Sequence, residues 1–166
     1  LLTAYRPGLA LYGYNPLSDF EETEFENNLT LQPALKVISK VISVQKLLPG
    51  EAVSYNESYR TAKETKIAVI PFGYFEGHDR RLSNKAEFLV LGAEEKIYAP
   101  IAGKVCMNLT CLDVDDQNVE KGDEVIIISD NREDRNSVLN LAQIMNTIPY
   151  EVLVRLQPNI KRKIIW

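Results

Sequence analysis

The 166 residues hold one histidine, two cysteines and one tryptophan, and these scarcities exclude several classes of protein. A lone His78 with Cys106 and Cys111 cannot build the usual four-ligand zinc site from Cys and His, so no metal is expected. The two thiols read instead as reduced and buried, in a cytoplasmic protein. No run approaches the ~20 consecutive apolar residues that cross a bilayer, and Leu1-Leu2-Thr3-Ala4-Tyr5-Arg6 lacks the charged-then-apolar order of a signal peptide. No membrane is expected. The net charge is -4, with Lys and Arg scattered and no basic stripe, which argues against nucleic acid as a partner. The sequence opens without methionine, so a start in the middle of a longer protein is expected.

The length allows one full-sized domain, or one domain plus a piece of another. Hydrophobic residues at 45% and charged ones at 25% sit near globular averages, so neither disorder nor a fibrous repeat is implied. The first segment, Arg6 to Pro16, is apolar and punctuated by Gly and Pro, and it leads into an acidic stretch from Ser18 to Asn28. It reads as the tail of a preceding unit followed by a linker, which divides the chain at residues 1–28 and 29–166.

From there the pattern is β. Leu35 to Val44 is rich in β-branched residues, Leu48-Pro49-Gly50-Glu51 suits a type II turn, and the next strand should run through Val53 and Tyr55. Further strands are expected at Lys66–Phe72, Glu87–Leu91, Lys96–Ile101, Lys104–Val114, Glu124–Ser129, Glu151–Leu156 and Lys161–Trp166. Val138, Leu141, Ala142 and Met145 fall at i, i+3, i+4 and i+7, predicting one short helix capped by Asn136 or Ser137. Regular strand spacing with one helix predicts a mainly β fold, an antiparallel barrel or sandwich.

Four stretches in order carry a family signal: Arg6-Pro7-Gly8-Leu9-Ala10-Leu11-Tyr12-Gly13, Val53-Ser54-Tyr55-Asn56-Glu57-Ser58-Tyr59, Ile70-Pro71-Phe72-Gly73-Tyr74-Phe75-Glu76-Gly77 and Gly103-Lys104-Val105-Cys106-Met107-Asn108. Followed by Asn146-Thr147-Ile148-Pro149-Tyr150-Glu151, they resemble the alanine racemase family over nearly the whole chain. The resemblance implies a subunit with an N-terminal (β/α)8 barrel that binds pyridoxal phosphate and a C-terminal β domain, working as a homodimer whose active site is shared between subunits. This chain would begin at the barrel's last strand. The Schiff-base lysine of such proteins lies earlier; Lys36 and Lys40 match no such motif, so the isolated chain is expected to be inactive.

Racemisation needs a base on each face of the substrate Cα, and the resemblance makes Tyr55 one of them. A free phenol titrates near ~10, so acting at neutral pH requires a fall of about 3, roughly 4 kcal/mol of preference for the phenolate. Nothing adjacent to Tyr55 in sequence supplies the positive charge, which must come from elsewhere. By the same resemblance Arg6 faces the pyridine nitrogen of the cofactor. A guanidinium keeps its proton, so the ring nitrogen stays largely unprotonated and transamination is disfavoured. Gly8 and Leu9 would offer backbone N–H groups to the cofactor phosphate, and Tyr150 its hydroxyl. The Met107 N–H would hold the substrate carboxylate, while Tyr74 and Arg80 would line the substrate channel. Asn108 stands where an aspartate commonly follows the methionine.

Local sequence leaves plainer readings open. Tyr55 and Tyr150 suit half-buried strand positions, Arg6 a solvated charge and Gly8 a tight turn. Glu76 to Arg81 reads as a charged turn with His78, Asp79 and Arg81 in solvent. The function implied is interconversion of L- and D-alanine, supplying D-alanine for bacterial peptidoglycan. The alternatives are a racemase of serine or another amino acid, and a β-barrel module for interaction or dimerisation without catalysis of its own.

Overall fold

The computed structural model describes residues 3–4, 6–16, 31–92 and 95–165. The expected linker from Ser18 to Asn28 and the terminal Trp166 lie outside them. Among the described residues there are nine strands: β1 (Val37–Lys40), β2 (Ser43–Leu47), β3 (Ala52–Val53), β4 (Tyr59–Arg60), β5 (Thr65–Ile70), β6 (Glu87–Leu91), β7 (Lys96–Pro100), β8 (Thr110–Asp115) and β9 (Glu124–Ile128). Two helices follow, α1 (Val138–Met145) and α2 (Pro149–Val154).

Alternation decides which way each strand faces. In β8, Thr110, Leu112 and Val114 are buried while their neighbours are half-exposed, and in β6 Phe88 and Val90 point inward. Strand β9 breaks the alternation, with Val125 to Ile128 all buried. It lies between β1 and β6, and Ile127 and Ile128 line a small cavity together with Leu141 and Met145 of α1. A continuous apolar run is what burial on both faces demands.

The strands form an antiparallel sheet ordered β1-β9-β6-β7, a second ordered β2-β5-β8, and the small pair β3-β4. The single strand expected over Leu35 to Val44 is two. At the corner between them the Val41 N–H donates to Asp123 O and the Ile42 N–H to Val69 O, so one chain segment passes from the first sheet to the second, as strands do at the corners of packed sheets. On the other side Ile101 bridges to Leu112. The ladders therefore curl into a barrel-like enclosure whose wall is not continuous. One cluster fills it, drawing on both sheets, α1 and α2, and it includes Leu9 and Tyr14 from the first segment.

Four further expectations are corrected. Glu151–Leu156 is not a strand: Pro149 occupies the first turn of α2, where its fixed φ and missing N–H suit a helix start. Residues 161–165 form no strand. Residues 104–109 form a loop, and the strand begins only at Thr110. Tyr55 leaves its strand, which ends at Val53, and begins a short 3-10 turn over Tyr55–Glu57. The capping expectation resolves to Ser137, whose side chain accepts from the Asn140 N–H. Asn136 is buried instead and donates to Ile126 O at 2.7 Å. The turn at Leu48–Glu51 forms, with Gly50 at φ +86° and the Glu51 N–H bonded to Leu48 O.

His78 is not in solvent. It is 4% exposed, between Phe72 and Phe88 at ring-centroid distances of 6.1 and 4.9 Å, and its buried Nε2 has no partner among the described residues. Burial pushes its pKa down to about 3, with the Asp79 charge opposing. The fold therefore holds the ring neutral, whereas the unfolded chain protonates it near its ordinary 6.5. Stability from this site is complete above that value and is lost as pH falls toward the folded pKa. Between pH 6.5 and about pH 4.5 the loss should be about 2 kcal/mol. Urea titrations across that range should show the slope, and His78→Leu should flatten it; an equally steep dependence in the variant would exclude His78 as its source.

Candidate functional site

Three loops carry four of the eight expected site residues, and hydrogen bonds to main-chain groups tie them together. The first is the turn after β3. Its residues Ser54 (φ 65°, ψ -174°), Asn56 (φ 59°) and Glu57 (φ 49°) all have positive φ. Ser54 sits in a region that is almost glycine-only, at a cost of about 1–3 kcal/mol. The second loop compensates. Ser54 Oγ donates to Lys104 O at 2.8 Å and accepts from the Lys104 N–H at 3.1 Å, bonds worth about 1 kcal/mol each. Gly103 makes the approach feasible, because a Cβ there would stand 2.6 Å from Ser54 Cβ. On this turn Tyr55 projects outward, 66% exposed.

The second loop continues to Met107, whose side chain is exposed. Its carbonyl accepts from the Phe75 N–H at 2.8 Å and that of Cys106 from the Tyr74 N–H at 3.0 Å. The Met107 N–H donates to nothing among the described residues. The third loop, residues 73–83, is thereby zipped to the second and carries exposed Tyr74 and Arg80. Gly73 is required at the seam, since a Cβ there would meet Cys106 O at 2.3 Å. Ser83 Oγ donates to Arg80 O and accepts from the Val105 N–H.

A second group forms around the first segment. Gly8, at φ +53°, begins a 3-10 turn over Gly8–Tyr12, and a Cβ on it would lie 3.5 Å from the Tyr150 hydroxyl. The Ala10 N–H is the first that the turn pairs, with Pro7 O at 3.1 Å, so the amides of Gly8 and Leu9 stand ahead of it. The Leu9 side chain is buried in the core, while Arg6 is exposed. Tyr150 sits in the first turn of α2, not on a strand, and is half-exposed.

Ion pairs join α2 to the third loop. Asp79, its side chain 8% exposed, meets Arg81 at 2.9 Å and Arg155 at 3.2 Å; the Arg81 hydrogen bond holds its carboxyl below the usual range, against the effect of burial. Arg81 also donates to Met145 O at the end of α1 and reaches Glu151 at 3.4 Å. Asp79 and Arg81 thus form a structural network rather than a solvated turn. No hydrogen bond or ion pair among the described residues links Tyr55 to Gly8 or Tyr150, so the structure gathers the expected residues into two groups. Lys36 and Lys40 are in neither; they pair with Asp130 and Glu124 at 2.9 and 3.9 Å.

Both thiols are free and half-buried. Burial pushes the Cys111 thiol up to about 11, with neighbouring Cys106 adding to the effect. No His, Cys, Asp or Glu cluster among the described residues suits a metal, and no helix is long and apolar enough to cross a membrane.

Fold and site together define a β domain with an exposed phenol on one loop and, on the loop bonded to it, a main-chain amide that has no partner among the described residues. Residues 34–164 match the family described as alanine racemase, C-terminal domain. Over 99% of its length the chain is 38% identical to the alanine racemase of Thermodesulfovibrio yellowstonii, spanning 41% of that protein. Over 96% it is 35% identical to alanine racemase 1 of Clostridium acetobutylicum, spanning 39% of it. A solved alanine racemase from Bartonella henselae with covalently bound pyridoxal phosphate has a TM-score of 0.78 and 29% identity, covering 95% of this chain and 40% of that one. This chain belongs to the alanine racemase C-terminal domain family. It spans about two fifths of the curated relatives it matches.

Asn108 has a use that the sequence did not disclose. Its Nδ2 donates to Glu76 Oε1 at 2.9 Å, while Glu76 Oε2 accepts from the Gly73 N–H at 2.8 Å. An ionised aspartate in its place could not donate and would set two carboxylates in contact. Asn108→Asp should destabilise the protein by roughly 0.5–1 kcal/mol at neutral pH, a cost limited by solvent screening. Melting the two proteins at pH 7 and pH 4 tests this: the gap should shrink in acid, where the pair shares a proton, and a pH-independent gap would exclude repulsion as its cause.

Proposed function

We propose that this chain is the C-terminal part of an alanine racemase, with Tyr55 as one of two bases that move a proton at the substrate Cα. The observation that carries the reading is the exposed Tyr55 phenol on a strained turn pinned to the loop whose Met107 N–H has no partner among the described residues. Three features suit pyridoxal phosphate. Gly8 lies against Tyr150, whose hydroxyl is 3.5 Å from where a Cβ on Gly8 would stand; the amides of Gly8 and Leu9 lead their turn; and Arg6 is exposed. When bound, the cofactor conjugates with the substrate and acidifies its Cα–H.

The chain's own residues then divide the work. The Gly8 and Leu9 amides and the Tyr150 hydroxyl hold the phosphate. Arg6 would donate a hydrogen bond to the ring nitrogen, a guanidinium having no acceptor to offer it. The Met107 N–H orients the substrate carboxylate, with Tyr74 and Arg80 along the approach. Tyr55 Oη takes a proton on one face and returns it from the same face in reverse. The opposite base, a lysine, lies outside this chain. The family resemblance implies a homodimer in which Tyr55 serves the partner's cofactor. The D-alanine produced would enter bacterial peptidoglycan.

In the full-length protein Tyr55→Phe should lower racemase activity by about 100-fold or more while leaving cofactor binding nearly intact. Deuterium exchange at Cα of each alanine enantiomer measures this, and unchanged rates in both directions would remove Tyr55 from the chemistry. Residues 1–166 alone should bind pyridoxal phosphate weakly, with no stable borohydride-reducible lysine adduct visible by absorbance. A stoichiometric adduct would overturn the division of the site between this chain and the rest of the protein.

A further inference from the structure

We infer that Ser54 and Asn84 are positioning residues that lock the Tyr55 turn to the Met107 loop, so that the phenol and the free amide are held as one rigid piece. The inference deepens the reading of Tyr55 as a base and rests on it. At the start of the turn, Ser54 Oγ makes both a donated and an accepted bond with the main chain of Lys104. At its end, Asn84 Nδ2 donates to Ser58 O at 3.0 Å, while Asn84 Oδ1 accepts from the Gly103 N–H at 2.6 Å. Two side chains therefore fasten both ends of the turn to adjacent residues, Gly103 and Lys104, of the loop that runs on to Met107. Asn84 adopts φ 57°, a conformation that asparagine tolerates better than most residues.

The clamp is needed because Ser54, Asn56 and Glu57 all hold positive φ. Left unfastened, these residues would relax to ordinary backbone conformations and swing the phenol away, and displacements of about 1 Å are enough to cost a catalytic group about 100-fold. Neither Ser54 nor Asn84 needs to touch substrate for this.

The test uses the full-length holoenzyme with Ser54→Gly, Asn84→Gly and Asn84→Asp. Glycine accepts both backbone conformations, so the first two remove side-chain bonds without adding strain. Aspartate keeps the acceptor for Gly103 and loses the donor to Ser58. Both glycine variants should speed amide exchange in 55–58 and 103–107 together. They should lower kcat by about 10- to 100-fold with KM changed by less than about 3-fold. The Cα deuterium isotope effect should grow more for one alanine enantiomer than for the other, since only one proton transfer uses the phenol. Asn84→Asp should fall between wild type and Asn84→Gly. Faster exchange with kcat and isotope effects unchanged would overturn the inference, as would exchange rising in only one of the two segments. If Asn84→Gly is fully active while Tyr55→Phe is inactive, the clamp fails and the base reading survives. If Tyr55→Phe is itself fully active, the base reading fails, and the positioning role fails with it.

Discussion

The paired hydrogen bonds between Ser54 Oγ and the main chain of Lys104 are the constraint on which the candidate site depends. They hold a side-chain-bearing residue at φ 65° and ψ -174°, where an isolated peptide would not remain. Everything beyond follows from that contact: the direction in which Tyr55 leaves the β structure, the need for glycine at position 103, and the closeness of two loops far apart in sequence. The second and third loops are joined without side chains, by main-chain bonds from Tyr74 and Phe75 to Cys106 and Met107. Backbone-to-backbone fastening sets geometry without depending on flexible side chains, which suits a site whose exposed residues have little packing of their own.

Much of the scaffold was legible because its signals are local. Strands β5, β6, β7 and β9 and helix α1 announce themselves through periodicity and flanking turns. The failures have particular causes. Val152 to Val154 look β-prone, yet only Val152 is buried, and Pro149 carried the overlooked helix signal. Leu35 to Val44 reads as one strand because a corner in the backbone leaves no mark on β-branched composition. His78 lay among charged neighbours, and its burial between Phe72 and Phe88 depends on contacts that charge patterning does not report.

The site divided in the same way. Motif resemblance pointed to Tyr55, Met107, Tyr74, Arg80, Arg6, Gly8, Leu9 and Tyr150, and the structure brings Gly8 to Tyr150 and joins the turns of the first four. Ser54, Glu76 and Gly103 lay inside those motifs with no role assigned and Asn84 lay outside them, because all four act through partners distant in sequence. The proposed boundary after residue 28 lies in a stretch outside the described residues. Leu9 and Tyr14, on its near side, nonetheless share the core of the β domain, so the first segment is packed into the domain.

The strand that turns from one sheet into the other also bears on how the chain folds. Val37 pairs with Ile128, near the end of the β region, whereas Ser43 pairs with Val69. During synthesis the β2–β5 ladder can form early, but β1 has no partner until β9 has emerged. Non-local pairing of this kind is slow, and an unpaired β-branched edge is open to other chains while it waits. Aggregation during biosynthesis should therefore begin at Val37 to Lys40, well away from the residues proposed for catalysis.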